Sequence, residues 1–290
     1  MLINRRTFLQ ASVAAAAVAM TGARTLFADP LGLPIGFQSY VVRKSIASDF
    51  AGTMKGLAAA GFKTVELCSP YGYSDFASLQ QYKPAELRAM LNGFGLQCIS
   101  AHWAPKELFD KADASIAYAK EFGMTQMAVA ALGPFNYKGT ETEDDVKRAV
   151  DPFNTFAEKA EAAGITPLLH NEGFVSARIN GKPVYDMMIA QLRPNVKLQF
   201  QVSTMQQGYD PLAYFQQYPT RYLSMHCQDW VKDPSTRSGT RQVPVGKGVV
   251  DWKAVFAAAG KAGVKNYFVE LEEDPSLLAP SVPYLKSLRV

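Results

Sequence analysis

Residues 142–172 read TEDDVKRAVDPFNTFAEKAEAAGITPLLHNE. Ala149, Phe153, Phe156 and Ala160 recur at three- and four-residue spacing, the period of a helix with one apolar face. Gly164 follows, where a left-handed residue stops a helix and turns the chain into a strand. Thr166–His170 then reads as a short buried strand. It ends on His170, with Glu172 two residues beyond. The same unit recurs in both directions along the chain. Ala60-Gly61-Phe62 and Ala262-Gly263-Val264 repeat the glycine stop. Strands are expected at Ile35–Val41, Thr64–Cys68, Gln97–Trp103, Gln126–Ala130, Thr166–His170, Leu198–Val202, Tyr222–His226 and Tyr267–Leu271. Helices follow most of them, including Asp49–Ala60, Pro84–Phe94, Lys106–Phe122 and Thr142–Ala163.

Eight strand–helix units in about 250 residues suit a closed (β/α)8 barrel better than an open sheet. No G-x-G-x-x-G or G-x-x-x-x-G-K-[ST] opens a helix, which removes the usual grounds for a doubly wound nucleotide fold. The expected organisation is α/β, a single TIM-barrel domain over residues 29–290. Its longest irregular stretch, Asp229–Val249, reads as an active-site loop.

Residues 1–28 stand apart. Asn4-Arg5-Arg6-Thr7-Phe8-Leu9 precedes an alanine-rich apolar run from Ala11 to Met20, the order of a charged n-region and a modest h-region. The paired arginines resemble a twin-arginine export signal, which implies a periplasmic protein cleaved after Ala23 or Ala28. Past this leader no run approaches the ~20 apolar residues of a membrane span. The 290 residues are 48% hydrophobic and 19% charged, with a formal charge of +4. Without Arg5 and Arg6 the balance is 28 basic against 26 acidic residues. No basic stripe with interleaved aromatics remains, so nucleic acid is not an expected partner. Cys68, Cys98 and Cys227 are too few for a disulfide framework and read as buried small hydrophobes. A Cys68–Cys98 bridge between consecutive strands stays open, as does a homo-oligomer.

The polar residues fall at one end of the expected barrel. The three histidines, His102, His170 and His226, each end an odd-numbered strand, and strand C-termini form the active-site face of such barrels. Glu66 and Glu270 sit inside apolar strand runs, where an unpaired carboxylate would be costly. Glu172 and Asp229 lie just past His170 and His226. Gln38, Tyr40, Gln201 and Gln228 complete the strand-end set, all able to hydrogen-bond sugar hydroxyls. A His/Glu donor set suits a divalent cation: Mn, Mg, Co or Zn.

These segments resemble the sugar phosphate isomerase/epimerase family of xylose isomerase-like barrels. Ile35-Gly36-Phe37-Gln38-Ser39-Tyr40-Val41-Val42-Arg43 is similar to its first strand, and Gly61-Phe62-Lys63-Thr64-Val65-Glu66 to its second. His170-Asn171-Glu172 stands where exported members commonly show Y-H-N-H. Met225-His226-Cys227-Gln228-Asp229 resembles H-x-K-D. Gly246-Lys247-Gly248-Val249-Val250-Asp251-Trp252 and Val269-Glu270 match G-x-G-x-x-D-W and the last-strand V-E. The resemblance runs from about residue 35 to the end. It implies a divalent metal held at strands five to eight, here His170, Gln201, His226 and Glu270. Three departures stand out. His170 stands where the family carries a strand-five Glu. Gln201 replaces the family's strand-six Asp, and Gln228 replaces its strand-seven Lys.

The resemblance implies an enzyme that abstracts a proton next to the carbonyl of a keto- or aldo-sugar. His170, Glu270 and Glu66 are the candidate catalytic groups. Gln38, Tyr40, His102, Glu172, Gln228 and Asp229 are the candidate substrate contacts. Isomerisation, epimerisation and β-elimination by a lyase or dehydratase share that first step. A non-catalytic sugar-binding barrel with a degenerate metal site is the rival from another class.

Overall fold

The computed structural model describes residues 29–133, 141–174 and 176–290; the expected export signal at 1–28 lies outside them. Eight strands close a parallel barrel in chain order: β1 (Gly36–Gln38), β2 (Thr64–Cys68), β3 (Gln97–Trp103), β4 (Gln126–Val129), β5 (Thr166–His170), β6 (Lys197–Gln201), β7 (Tyr222–Cys227) and β8 (Asn266–Val269). β1 closes the ring between β2 and β8, with Gly36 opposite both Thr64 and Phe268. A Cβ on Gly36 would stand 2.5 Å from Thr64 Oγ1 and 2.7 Å from the Tyr267 carbonyl, so only glycine lets the strands meet there.

The outer ring is α1 (Arg43–Ser48), α2 (Phe50–Ala60), α3 (Pro84–Gly93), α4 (Pro105–Asp110), α5 (Ala112–Phe122), α6 (Glu143–Ala162), α7 (Val184–Gln191), α8 (Pro211–Gln217), α9 (Trp252–Ala262) and α10 (Leu278–Ser287). α6 starts as its sequence dictates. Thr142 Oγ1 accepts from the Asp145 amide, and the Asp145 carboxylate accepts from the Thr142 amide, a capping box that satisfies two amides without helical partners. Its apolar face, Val146, Val150, Phe153 and Ala157, is fully buried. Each large side chain removed from water in this way contributes about 1.5–3 kcal/mol. Gly61, at φ 112°, closes α2 as expected of a left-handed stop. Among the described residues no helix is long and apolar enough to cross a membrane. The three cysteines are buried and free, so no Cys68–Cys98 bridge forms.

Three expectations change. The first strand is Gly36–Gln38, not Ile35–Val41, because Gln38 Oε1 accepts from the Tyr40 amide at 2.6 Å and draws Ser39–Val42 into a 3-10 turn. The helix expected over Lys106–Phe122 divides at Lys111, whose φ of −133° leaves the helical region. Asp229–Val249 is not an irregular loop throughout. Asp229–Lys232 pairs antiparallel with Thr240–Val243 as a hairpin.

Barrel interiors are usually filled with branched apolar side chains. This one carries stacked polar layers. Asn266 Nδ2 donates to Gln126 Oε1 at 3.1 Å from one side of the barrel to the other. Nearer the mouth lie Glu66, Ser100, Gln199 and Ser224, all fully buried. The histidines follow. Such a core is stable only if its members satisfy one another, and it holds the side chains of the site.

Candidate active site

Glu66 is the hub of the inner layer. Its Oε1 accepts from Ser100 Oγ at 2.7 Å and Gln199 Nε2 at 2.9 Å. Its Oε2 accepts from His226 Nε2 at 2.6 Å and Gln38 Nε2 at 3.4 Å, and faces His102 Nε2 at 3.2 Å. Burial pushes the Glu66 carboxyl up, but the charges and hydrogen bonds of His102 and His226 outweigh it and hold Glu66 well below the usual carboxylate range. Every acceptor site on Glu66 is thus engaged below the floor of the cavity. It cannot reach a substrate, and the expectation of a catalytic Glu66 gives way to a positioning role.

His226 stands between two carboxylates. Its Nε2 meets Glu66 and its Nδ1 meets Glu270 Oε2 at 3.0 Å. Burial would lower its pKa, yet Glu270 and Glu66 overcome that and raise it to about 10. Glu270 Oε2 also accepts from Gln201 Nε2 and, at 3.3 Å, from Gln228 Nε2. Burial raises the Glu270 carboxyl, and His226 more than reverses this, leaving it lowered. His102 Nε2 is shared by Gln199 Oε1 at 2.8 Å and by Glu66. Despite burial, Glu66 raises the His102 pKa.

His170 is the exception. It is fully buried, its ring centre lies 4.4 Å from that of His226, and neither ring nitrogen has a hydrogen-bond partner. Burial, followed by His226 and His102, drives its pKa well down, which favours the neutral imidazole. Gln201 Oε1 is buried and unpartnered as well. Buried polar atoms without partners are uncommon, and these three, side by side at the barrel mouth, are free to meet a ligand or water.

The residues present fit a divalent cation. One ligand atom each of His102, His170 and His226 lies within 4.8 Å of the others. Metal-binding imidazoles characteristically give their second nitrogen to a carboxylate, and Glu66 takes His226 Nε2 in that manner. Nδ1 is left facing Glu270 beside the free atoms of His170 and Gln201. Of the three clustered histidines, His170 and His226 belong to the set that the family resemblance implies and His102 does not; Glu270 and Gln201, the rest of that set, adjoin His226 through the Glu270 carboxylate.

Above them opens a cavity of about 250 Å³ lined by Tyr40, Cys68, Tyr73, His102, Ala130, Glu172, Glu270 and Glu272. Of the expected substrate contacts, Tyr40, His102 and Glu172 line it. Gln38 does not; its amide braces Glu66 and the turn after β1. Gln228 reaches Glu270 from the side and accepts from Gln242 of the hairpin at 3.3 Å. Asp229 is corrected outright. Its carboxylate accepts from the amides of Trp230, Gly246, Gly248 and Val250 and from Trp252 Nε1, leaving nothing for a substrate. It ties the hairpin and the following Gly-Lys-Gly turn to α9. A larger groove of about 580 Å³ lies on the outer flank between α4 and α6 but contains none of the strand-end residues.

Sequence reasoning missed Ser100, Gln199, Ser224, Tyr73 and Glu272. The first three precede His102, Gln201 and His226 by two positions, so strand alternation places them on the inward face. Burial, then Glu270 and Glu172, push the Glu272 carboxyl up to about 8. Glu172 leaves 49% of its side chain exposed at the mouth; its partial burial, then Glu270, raise its carboxyl too.

Known proteins share this architecture. An inosose dehydratase from Serratia proteamaculans is 24% identical over 268 residues, spanning 80% of this chain and 86% of its own. A sugar phosphate isomerase/epimerase from Parabacteroides distasonis superposes with a TM-score of 0.70 at 22% identity, covering 88% of this chain and 94% of its own. A xylose isomerase-like barrel from Mycobacterium smegmatis, solved with magnesium, gives 0.64 at 15% identity, over 88% and 95%. Residues 55–289 match the xylose isomerase-like TIM barrel family, and with a closed eight-stranded barrel beneath that match, the chain belongs to this family.

Proposed function

We propose that the protein is an isomerase- or epimerase-like enzyme that moves a proton next to the carbonyl of a sugar. The observation that carries this reading is His170, fully buried with two unpartnered nitrogens beside the His226–Glu270 pair. His170, Gln201, His226 and Glu270 would hold a divalent metal: Mn, Mg, Co or Zn. When bound, the metal supplies a Lewis acid that polarises the carbonyl and stabilises the enediolate. Glu66 fixes the ring of His226. Glu270 and Glu172, both lining the cavity, take and return the proton at the carbon beside the carbonyl. Tyr40, Tyr73 and His102 orient the sugar.

A second reading, dehydration, shares the first proton abstraction. Glu272 favours it, because a third carboxyl in the same cavity can protonate a departing hydroxyl. The dehydratase relative points the same way.

The test is metal analysis of purified protein with calorimetric titration of Mn, Mg, Co and Zn. One tightly bound ion is expected, lost in His170→Ala and tightened by Gln201→Asp, which restores a carboxylate. If neither the natural protein nor Gln201→Asp binds any of them, the metalloenzyme reading fails and a sugar-binding barrel replaces it. We further propose export to the periplasm on the strength of Arg5-Arg6. Replacing both by lysine should leave precursor in the cytoplasm, and unaffected export would exclude the twin-arginine route.

A further inference from the structure

We infer that the protein holds a second, uncharged saccharide outside the barrel mouth, in a crevice of about 270 Å³ walled by Tyr71, Trp103 and Tyr118 and edged by Glu107 and Lys111. None of these residues lines the mouth cavity or belongs to the metal set.

Strand alternation makes the crevice. His102 faces the barrel axis, so Trp103, the last residue of β3, faces outward. There it meets Tyr118 of α5 edge to face, with 5.9 Å between ring centres. Tyr71, in the loop after β2, meets Tyr118 in the same manner at 5.8 Å. Tyr71 is 59% exposed, the one aromatic side chain so open among the described residues. It is nonetheless fixed. Its amide donates to Ser69 Oγ at 3.2 Å, and that hydroxyl donates to Glu107 Oε1 at 2.6 Å. Gly72 lets the loop press onto the start of α4, since a Cβ there would stand 2.5 Å from Glu107 Oε2 and 2.8 Å from Ala104 Cβ. An exposed ring already held in place loses little freedom when a ligand covers it.

The polar atoms define the ligand. Trp103 is fully buried and its Nε1 has no partner, and Glu107 Oε2 has none either. Lys111 brings an ammonium to the same space. An anion would meet the Glu107 carboxylate, and a cation would meet Lys111. An apolar ligand would leave the indole N–H and the carboxylate oxygen unpaired, which is costly for buried groups. A hydroxyl both donates and accepts. One sugar ring therefore answers the indole N–H, the carboxylate and the ammonium together, and lays its C–H face on the tyrosine rings. The volume, roughly that of nine waters, takes one hexose ring.

The experiment follows the indole N–H signals of the three tryptophans by nitrogen-15 NMR while D-glucose, maltose and cellobiose are titrated into the purified protein. Trp103→Phe identifies which signal is Trp103. That signal should shift saturably as the indole gains an acceptor, while the Trp252 signal, already held by Asp229 at 2.8 Å, stays in place. Tyr71→Ala should weaken binding about two- to tenfold. Glu107→Gln, which turns an acceptor into a donor, should weaken it about tenfold or more. A Trp103 signal unmoved by all three sugars at about 0.1 M, where a millimolar site is saturated, overturns the inference. So does a shift with the same midpoint in Tyr71→Ala and Glu107→Gln, or one that inorganic phosphate or tetramethylammonium produces at lower concentration than the sugars. Neither variant touches the metal set, so these outcomes leave the reading of the barrel mouth standing.

Discussion

Replacing Glu66 by Gln removes one negative charge from the centre of the barrel with almost no change of shape. At an effective dielectric of about 20, the attraction between Glu66 and a charged His226 at 2.6 Å is about 6 kcal/mol, and to His102 at 3.2 Å about 5 kcal/mol. Desolvation cancels much of this. Breaking a buried pair from one side still costs about 3–5 kcal/mol, because the partner keeps its burial without its counter-charge. The amide cannot rescue itself by rotation. With its NH2 at the Oε2 position it opposes His226 Nε2–H; at the Oε1 position it opposes Gln199 Nε2. Gln199 cannot flip without losing the contact from His102 Nε2 to its Oε1. Denaturant unfolding of the metal-free protein should therefore show Glu66→Gln about 3 kcal/mol less stable. Its metal affinity should fall about 10–100-fold, the usual loss when the carboxylate behind a liganding imidazole is removed. A variant within about 1 kcal/mol of the natural protein, with metal affinity unchanged, would refute the hub role of Glu66.

Other consequences follow from the same geometry. A Cβ on Gly248 would lie 2.0 Å from Asp229 Oδ1, a carboxylate pinned by five donors, so Gly248→Ala should cost about 1–3 kcal/mol in thermal or denaturant unfolding. Asp229→Ala should free the hairpin, seen as faster amide exchange over 229–250; unchanged exchange would remove its structural role. Hydrogen bonds from the Thr142 amide and hydroxyl hold Asp145 below its ordinary 3.8. Its support of α6 is therefore present above the unfolded value and lost as pH falls through the lowered folded value. An NMR titration of Asp145 should report that lowered pKa, and Thr142→Ala should move it back toward 3.8.

The barrel was legible because its period is local. Gly61, Gly164 and Gly263 stop helices wherever the sequence places them, and the apolar face of 142–163 survives as α6 with a residue of adjustment. The gathering of polar residues at one end of the barrel was legible, since His102, His170 and His226 sit at strand ends and Glu270 follows β8 by one residue. Errors arose where side chains, not periodicity, decide. Gln38 cut β1 short by capping a turn, an event set by one hydrogen bond. Glu66 and Glu270 look alike in sequence, each an acid in an apolar strand. One lies below the histidines and the other above them, a difference in depth that spacing along a strand does not carry. Asp229 reads as a site acid beside His226, but four of its five donors come from 246–252, too far along the chain for local pattern to reveal. Glu272 lies past the end of β8, where strand alternation no longer says which way a side chain turns.

Proton movement beside a sugar carbonyl is read out by hydrogen exchange with solvent. Metal-loaded protein is incubated in deuterium oxide with free keto- and aldo-sugars, and NMR follows deuterium at the carbon next to the carbonyl. Incorporation should require the metal, fall at least about a hundredfold in Glu270→Gln, and fall in Glu172→Gln. A protein that binds metal and sugar yet exchanges no such hydrogen in any sugar bound would contradict it.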